Sequence, residues 1–352
     1  MGSSPVNSAE FVTTRFAPSP TGRLHLGHAL SAIRAHDFAR ARGGRFLLRI
    51  EDIDMGRSRP EHVAGIVEDL RWLGLDWDDL SYQSARLASY QAALDGLNAR
   101  GLLYPCFCTR AEIAASLSAP HAGDAAVYPG TCRKLAPAEV AARMGEAHCW
   151  RLDMAAALNV TGPLDWVDAR AGTVRADPAA QGDVVLARKD APASYHLAVT
   201  LDDAVQGVTD VVRGDDLFAA TDVHRLLQAL LGLPTPRYHH HPLMLGADGA
   251  RLAKRTGAPS LATMRERGRT GSRLRPGCGR CWRGMLPTCR HPDERQDPGL
   301  RRAACLALGP DFRQGDGVSG IDGVGGVTRP RRAGRISRGR GLRVAGWWGG
   351  RG

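Results

Sequence analysis

Two histidines three residues apart, His25 and His28, close the segment Arg15-Phe16-Ala17-Pro18-Ser19-Pro20-Thr21-Gly22-Arg23-Leu24-His25-Leu26-Gly27-His28. Imidazoles at the start of a helix meet unpaired backbone N–H groups and the positive end of the helix dipole, a setting that favours phosphate. Gly22 and Gly27 let a ligand approach the backbone closely. The chemistry is that of a nucleotide site. A second signal is Cys106-Phe107-Cys108 followed by Cys132, thiols whose spacing suits structural Zn²⁺. Three cysteines leave one ligand of a four-coordinate ion unassigned, and spacing alone admits Cys149 or His121. The run His239-His240-His241 invites a metal reading too. Contiguous residues on an extended chain point to alternate faces, so these three do not converge on one ion and read as a core-edge segment.

The elements that must hold these groups follow from periodicity. Phe11 to Phe16 has strand character, Pro18, Pro20 and Gly22 make a tight connection, and Leu30, Ile33 and Phe38 mark a helix from Ala29 that stops at Gly43-Gly44. Phe46 to Ile50 reads as a buried strand that runs into Glu51-Asp52-Ile53-Asp54. Ser58-Arg59-Pro60-Glu61 has the form of a capping box, and Val63, Ile66, Val67, Leu70 and Leu73 form the stripe of the next helix. Another helix is expected over 86–100, strands over His196–Leu201 and Val208–Val212, and a helix lined by Val223, Leu226, Leu227, Leu230 and Leu231. Strand–helix alternation implies an α/β fold, a parallel sheet with helices on both faces and ligands at the carboxyl ends of its strands. Arg15–Ser19 and Glu51 both fall at such ends.

With 352 residues the chain is long enough for two or three domains. No apolar run is long enough to span a bilayer, and Met1-Gly2-Ser3-Ser4-Pro5 lacks the regions of a signal peptide. The expectation is a cytoplasmic protein with no membrane partner and reduced cysteines. The net charge of +11 belongs to the tail: residues 271–352 hold 17 Arg and 6 acidic residues, while residues 1–270 balance 30 against 30. The same tail has 19 Gly among 82 residues and no sustained period, a composition that reads as disordered. It is either an Arg-Gly arm for RNA backbone or a nonfunctional extension, and the second is preferred. Cys278, Cys281 and Cys289 within it lack a well-spaced fourth ligand.

Phe-Ala-Pro-Ser-Pro-Thr-Gly followed by His-Leu-Gly-His resembles the first signature of class I aminoacyl-tRNA synthetases of the glutamate group. The likeness extends over most of residues 13–265 through Leu-Arg-Ile-Glu-Asp-Ile-Asp, Ala193–Val199 and Val-Val-Arg-Gly-Asp-Asp-Leu. It is close to one short subgroup, whose members act on the queuosine of tRNA(Asp). The resemblance implies a Rossmann-like catalytic domain over 13–268 after a short extension, 1–12. A small zinc-binding insertion would occupy about 104–135, and no anticodon-binding domain would follow. It also implies that His25, Gly27 and His28 meet ATP and that Arg15, Phe16, Ala17, Pro18, Ser19, Glu51, Tyr195 and Arg213 hold L-glutamate, with Glu51 on its ammonium group. Lys254, in Arg251-Leu252-Ala253-Lys254-Arg255, matches the lysine of the second signature, in a loop over about 246–258. Arg251 and Ala253 depart from the usual lysine and serine there. Tyr128 would join Cys106, Cys108 and Cys132 as the fourth zinc ligand.

The implied reaction is tRNA-independent activation of glutamate by ATP and Mg²⁺, then transfer to queuosine in the anticodon of tRNA(Asp), by a monomer. A truncated glutamyl-tRNA synthetase and an inactive RNA-binding paralogue are the alternatives. No helical continuation of the family's kind follows Met264–Gly268, as a shifted reading frame in 269–352 would produce.

Overall fold

The structure, a computed structural model, describes residues 11–109, 111–113, 127–244 and 259–271. The lysine loop with Arg251, Ala253 and Lys254, the residue His121, and the tail beyond Gly271, including Cys278, Cys281 and Cys289, lie outside the described residues.

Strands β1 (Thr13–Phe16), β2 (Arg45–Ile50) and β3 (Asp79–Tyr82) form a parallel sheet in that order, with Phe16 opposite Leu48. Parallel strands are covered on both faces, hence the near-continuous apolar run of β2. Helix α1 (Leu26–Arg40) lies against them; its buried Ala29, Ala32, Ala35 and Ala39 allow close approach, and Leu30 and Ile33 fill the core. Helix α2 (Pro60–Trp72) adds Ile66 and Leu70 to the same core. The expected capping box at its start does not form. The N-cap is Arg59, with no side-chain cap bond, because Pro60 at the first helical position already fixes the entry and has no N–H to satisfy.

Helix α3 (Leu87–Ala99) leads into β4 (Leu103–Cys106), which pairs antiparallel with β5 (Cys149–Leu152), and β5 with β8 (Val185–Ala187). Between them in sequence lie α4 (Pro137–Arg143), α5 (Met154–Thr161), β6 (Asp165–Asp168) and β7 (Gly172–Arg175). Helix α6 (Tyr195–Val205), β9 (Asp210–Gly214), α7 (Ala220–Leu231), β10 (Arg237–His241) and α8 (Leu261–Glu266) complete the described elements. Strands β9, β10 and β6 are mutually parallel neighbours, with β7 antiparallel at the edge. The simple parallel sheet expected from alternation is therefore joined by an antiparallel edge and an antiparallel three-stranded sheet.

One expected strand is a helix. His196–Leu201 lies inside α6, whose N-cap Ser194 accepts from Leu197 N. Residues Leu197 to Leu201 are all buried and, Thr200 apart, apolar, a short run that periodicity cannot separate from a buried strand.

The first sheet and the second meet where β1 runs beside β9. Thr209 N donates to Thr13 O at 3.0 Å and Thr13 N to Thr209 Oγ1 at 2.9 Å. Strand order reverses here, the crevice position at which open α/β sheets bind ligands.

Candidate active site

Beyond the ends of β1 and β9 lies a cavity of about 240 Å³. Its walls include Arg15, Phe16 and Ala17 from β1, His25, Gly27 and His28 from the start of α1, Glu51 after β2, Tyr195 on α6 and Arg213 on β9. Pro18 is buried behind the wall, where its carbonyl accepts from Glu51 N at 3.1 Å and ties the two strand ends together. Ser19 is exposed and does not line the cavity.

The two signature histidines cap α1 reciprocally. His25 Nδ1 accepts from Gly27 N at 3.1 Å, and His28 Nδ1 accepts from His25 N at 3.2 Å. Because each Nδ1 is an acceptor, each neutral ring carries its proton on Nε2, where it can serve as a donor. The rings stack with centroids 3.8 Å apart. A Cβ on Gly27 would lie 3.0 Å from His25 Cε1, so glycine permits this close arrangement. The segment before the lysine loop ends at Met244 on the cavity wall. After it, Ser260 bridges to His25, and Leu261 N donates to Leu24 O at 2.9 Å.

At one end of the cavity stands Arg213, buried and aligned with His240 in the β9–β10 register. Its Nε donates to His240 Nε2 at 3.1 Å. Nη1 donates to His224 Nδ1 at 3.2 Å and to Tyr195 Oη at 3.4 Å, and Nη2 to Thr221 Oγ1 at 2.6 Å and Leu217 O at 3.2 Å. Every N–H of the guanidinium has an acceptor, and among the described residues none of these acceptors is a carboxylate. The nearby Asp215 pairs with Arg170 at 2.7 Å. Burial and the adjacent Arg213 push the His240 and His196 imidazoles down to about 4, and push His224 well below its ordinary value. All three are neutral at physiological pH.

The other end is a buried charge network. Arg15 Nε and Arg49 Nη1 both donate to Asp203 Oδ1, at 2.9 and 2.8 Å, and Arg49 Nη1 also meets Gln206 Oε1 at 2.7 Å. Asp202 accepts from Gln83, Arg86 and Tyr90 at 2.9, 2.6 and 2.8 Å. Burial opposes ionisation of Asp203, yet Arg15 and Arg49 hold its carboxyl below the usual range. Glu51 is less well served. Among the described residues its Oε1 is buried with no hydrogen-bond partner and lies 3.7 Å from Arg49 Nη2, which also lacks one, as does Arg49 Nε. Burial pushes the Glu51 carboxyl up to about 7 against the pull of Arg49 and Arg15. A buried carboxylate oxygen without a donor beside a cavity is built to receive one from a ligand.

Away from this cavity the sulfurs of Cys106, Cys108 and Cys132 lie within 4.8 Å of one another. The hydroxyl of Tyr128 stands 3.4 Å from Cys106 Sγ and 3.7 Å from Cys108 Sγ, and accepts from Cys132 N at 2.8 Å. Tetrahedral zinc with ~2.3 Å bonds spaces its sulfurs ~3.8 Å apart, so this donor set fits the ion. Positive φ at Gly130 (78°) turns the chain so that Cys132 returns to β4. Cys149 faces Cys106 across the β4–β5 pair but is not one of the converging three, and the surrounding cluster is little more than these thiols, Phe107 and Tyr128.

The structure thus gathers Arg15, Phe16, Ala17, His25, Gly27, His28, Glu51, Tyr195 and Arg213 around one cavity. Arg49, Asp203, His224 and His240 were not legible as site residues. The signal for His240 lay in the alternation of the triple-histidine run. On β10, His239 bonds Asp210 at 2.7 Å and His241 bonds Ser31 at 3.0 Å, while His240 turns to Arg213.

A sheet crevice with this signature helix defines a class I aminoacyl-tRNA synthetase catalytic domain. Residues 11–288 match the family of class I tRNA synthetases (E and Q), catalytic domain, and the chain belongs to that family, whose members are ligases. It is 52% identical over 274 residues to a glutamyl-Q tRNA(Asp) synthetase of Rhodobacter capsulatus, covering 74% of this chain and 98% of the relative. A second glutamyl-Q tRNA(Asp) synthetase, from Symbiobacterium thermophilum, is 48% identical, with 72% and 81% covered. Among solved structures, a glutamate tRNA ligase from Elizabethkingia meningosepticum in complex with its amino acid superposes with a TM-score of 0.60 at 29% identity. That match covers 70% of this chain and 53% of the ligase, so the chain spans about half the length of that structure. Among the described residues no helix is long and apolar enough to cross a membrane.

Proposed function

We propose that this protein activates L-glutamate with ATP and transfers it to the queuosine of tRNA(Asp). The observation that carries the first half is the polarity of the cavity: a guanidinium with only neutral partners at one end, an unpaired buried carboxylate oxygen at the other. A dicarboxylic amino acid complements both. Its side-chain carboxylate meets Arg213 and the Tyr195 hydroxyl, Arg15, Phe16 and Ala17 line its path, and its ammonium meets Glu51. The second half is supported by the glutamyl-Q tRNA(Asp) synthetases among its relatives.

An oxygen of the substrate's α-carboxylate attacks the α-phosphorus of ATP. The bond to the bridging oxygen breaks, pyrophosphate leaves with that electron pair, and glutamyl-adenylate forms. Charge builds on phosphate oxygens, so positioned donors supply most of the catalysis. His25 and His28 offer Nε2–H groups, and Mg²⁺ accompanies the nucleotide. Lys254 is the third donor. That role follows from the resemblance of its loop to the second signature. A hydroxyl of queuosine then attacks the anhydride carbonyl and AMP leaves. Cys106, Cys108, Cys132 and Tyr128 would hold Zn²⁺, whose contribution is to cross-link an insertion with almost no apolar core.

ATP–pyrophosphate exchange with glutamate and no tRNA tests activation. Glutamate transfer is then compared on tRNA(Asp) with and without queuosine and on tRNA(Glu). Transfer only to the queuosine-bearing tRNA is expected, while charging of tRNA(Glu) would replace this reading with that of a glutamyl-tRNA synthetase. Native mass spectrometry should find one zinc per folded chain.

A further inference from the structure

We propose that His224 and His240 are positioning residues that hold the Arg213 guanidinium in a single orientation and thereby set the preference for a carboxylate-bearing amino acid. This rests on the reading that Arg213 grips the substrate's side chain. An arginine ordinarily takes a carboxylate partner, as Arg49 does with Asp203 at 2.8 Å. Arg213 instead gives one N–H to each of two imidazoles. Its charge is thus left for a ligand anion while its geometry is still fixed.

The direction of each bond is fixed from outside. Asp168 Oδ2 accepts from the His240 backbone N at 3.1 Å and takes Nδ1–H of the ring at 2.9 Å, which leaves the Nε2 lone pair toward Arg213 Nε. Asp168 is itself held by Arg170 N and Ala171 N, each at 2.9 Å, in the turn between β6 and β7. His224 accepts from Arg213 at Nδ1, so its Nε2 carries the proton and donates to His196 Nδ1 at 3.2 Å. Tyr195 Oη, 3.4 Å from Nη1, is the longest of the five contacts and the one a substrate carboxylate can share or replace. A carboxamide in the same place would turn an NH₂ toward the fork, and a fork locked by four other acceptors cannot rotate to avoid it.

Pairs of equal length separate positioning from packing. His240→Met and His224→Leu remove the acceptor, whereas His240→Gln and His224→Asn return an oxygen near the lost nitrogen. In glutamate-dependent exchange, the apolar variants should raise the glutamate KM about tenfold or more and narrow the preference for glutamate over glutamine. Their ATP KM should stay within about twofold of the parent, and the amide variants should recover most of the loss. An unchanged glutamate KM in folded H240M and H224L, with Arg213→Ala inactive, overturns the positioning role and leaves the reading of Arg213 intact. Retained exchange in Arg213→Ala overturns that reading itself. If the apolar variants do not fold, the amide variants decide: a KM within about threefold of the parent supports the proposal, and a loss equal to that of Arg213→Ala overturns it.

Discussion

At Arg213 every N–H meets a neutral acceptor, whereas at the Glu51 end of the same cavity, among the described residues, a carboxylate oxygen and two nitrogens of Arg49 are buried without a hydrogen-bond partner. Carboxylates bond the arginines directly at the second end; at the first, among the described residues, Asp168 reaches Arg213 only through His240, and Asp216 lines the cavity nearby. The difference teaches how one small cavity can both select and bind. The saturated end leaves no N–H of Arg213 unsatisfied and presents a charge of fixed direction. The unsaturated end stores desolvation cost that an ammonium ligand relieves, so binding there is coupled to ionisation.

Removing the two ligand-facing arginines should give the largest effects. Arg213→Ala and Arg15→Ala are each expected to lower glutamate kcat/KM about a thousandfold, the worth of two charge-assisted hydrogen bonds in a dry site. Steady-state exchange measures this, and near-parental activity in either removes that residue from the clamp. Stability should split Arg213 from Arg49. Arg49→Met strips a buried partner from Asp203 and is expected to cost about 3–5 kcal/mol in urea unfolding, because a buried charge loses its compensation. Arg213→Ala leaves no carboxylate bereft and should cost clearly less. Equal losses would dissolve the contrast between the two ends.

Glu51 sharpens it further. Its folded-state carboxyl titrates at about 7, above the unfolded value near 4.5, so the folded protein binds the extra proton between these pH values. Stability of the ligand-free protein falls as pH rises through that window and is flat above it. Glu51→Gln should therefore be more stable than the parent at pH 8, by up to about 3 kcal/mol, with little gain at pH 4.5. Ammonium binding needs the ionised carboxylate, so glutamate kcat/KM should climb from pH 6 to 8, and Glu51→Gln should lose that limb. A parental profile that is level across this range would contradict the assignment. The smallest change is expected from zinc removal, which should lower the thermal midpoint while leaving the glutamate KM within about twofold.

Much of this site was legible in the chain because its parts are local. The signature after β1, the histidines at a helix start and the acid after β2 are each set by a few adjacent residues. What escaped depends on distant ones. Arg49 and Asp203 meet across 154 positions, and Asp203 was hidden further by reading the start of α6 as a strand. His240 was placed on the right kind of element, but its two partners, Arg213 and Asp168, come from different strands of the sheet. The fourth ligand beside three thiols was likewise open to Cys149 or His121; Cys149 stands opposite Cys106 on β5 outside the converging three, while the Tyr128 hydroxyl, brought in by a turn, meets two of their sulfurs.

The most direct test is a crystal structure with a non-hydrolysable glutamyl-adenylate analogue. The side-chain carboxylate should lie on Arg213 and Tyr195, the ammonium on Glu51 Oε1, and the phosphoryl group beside His25 and His28. An analogue whose carboxylate sits away from Arg213, or whose ammonium avoids Glu51, would contradict the account.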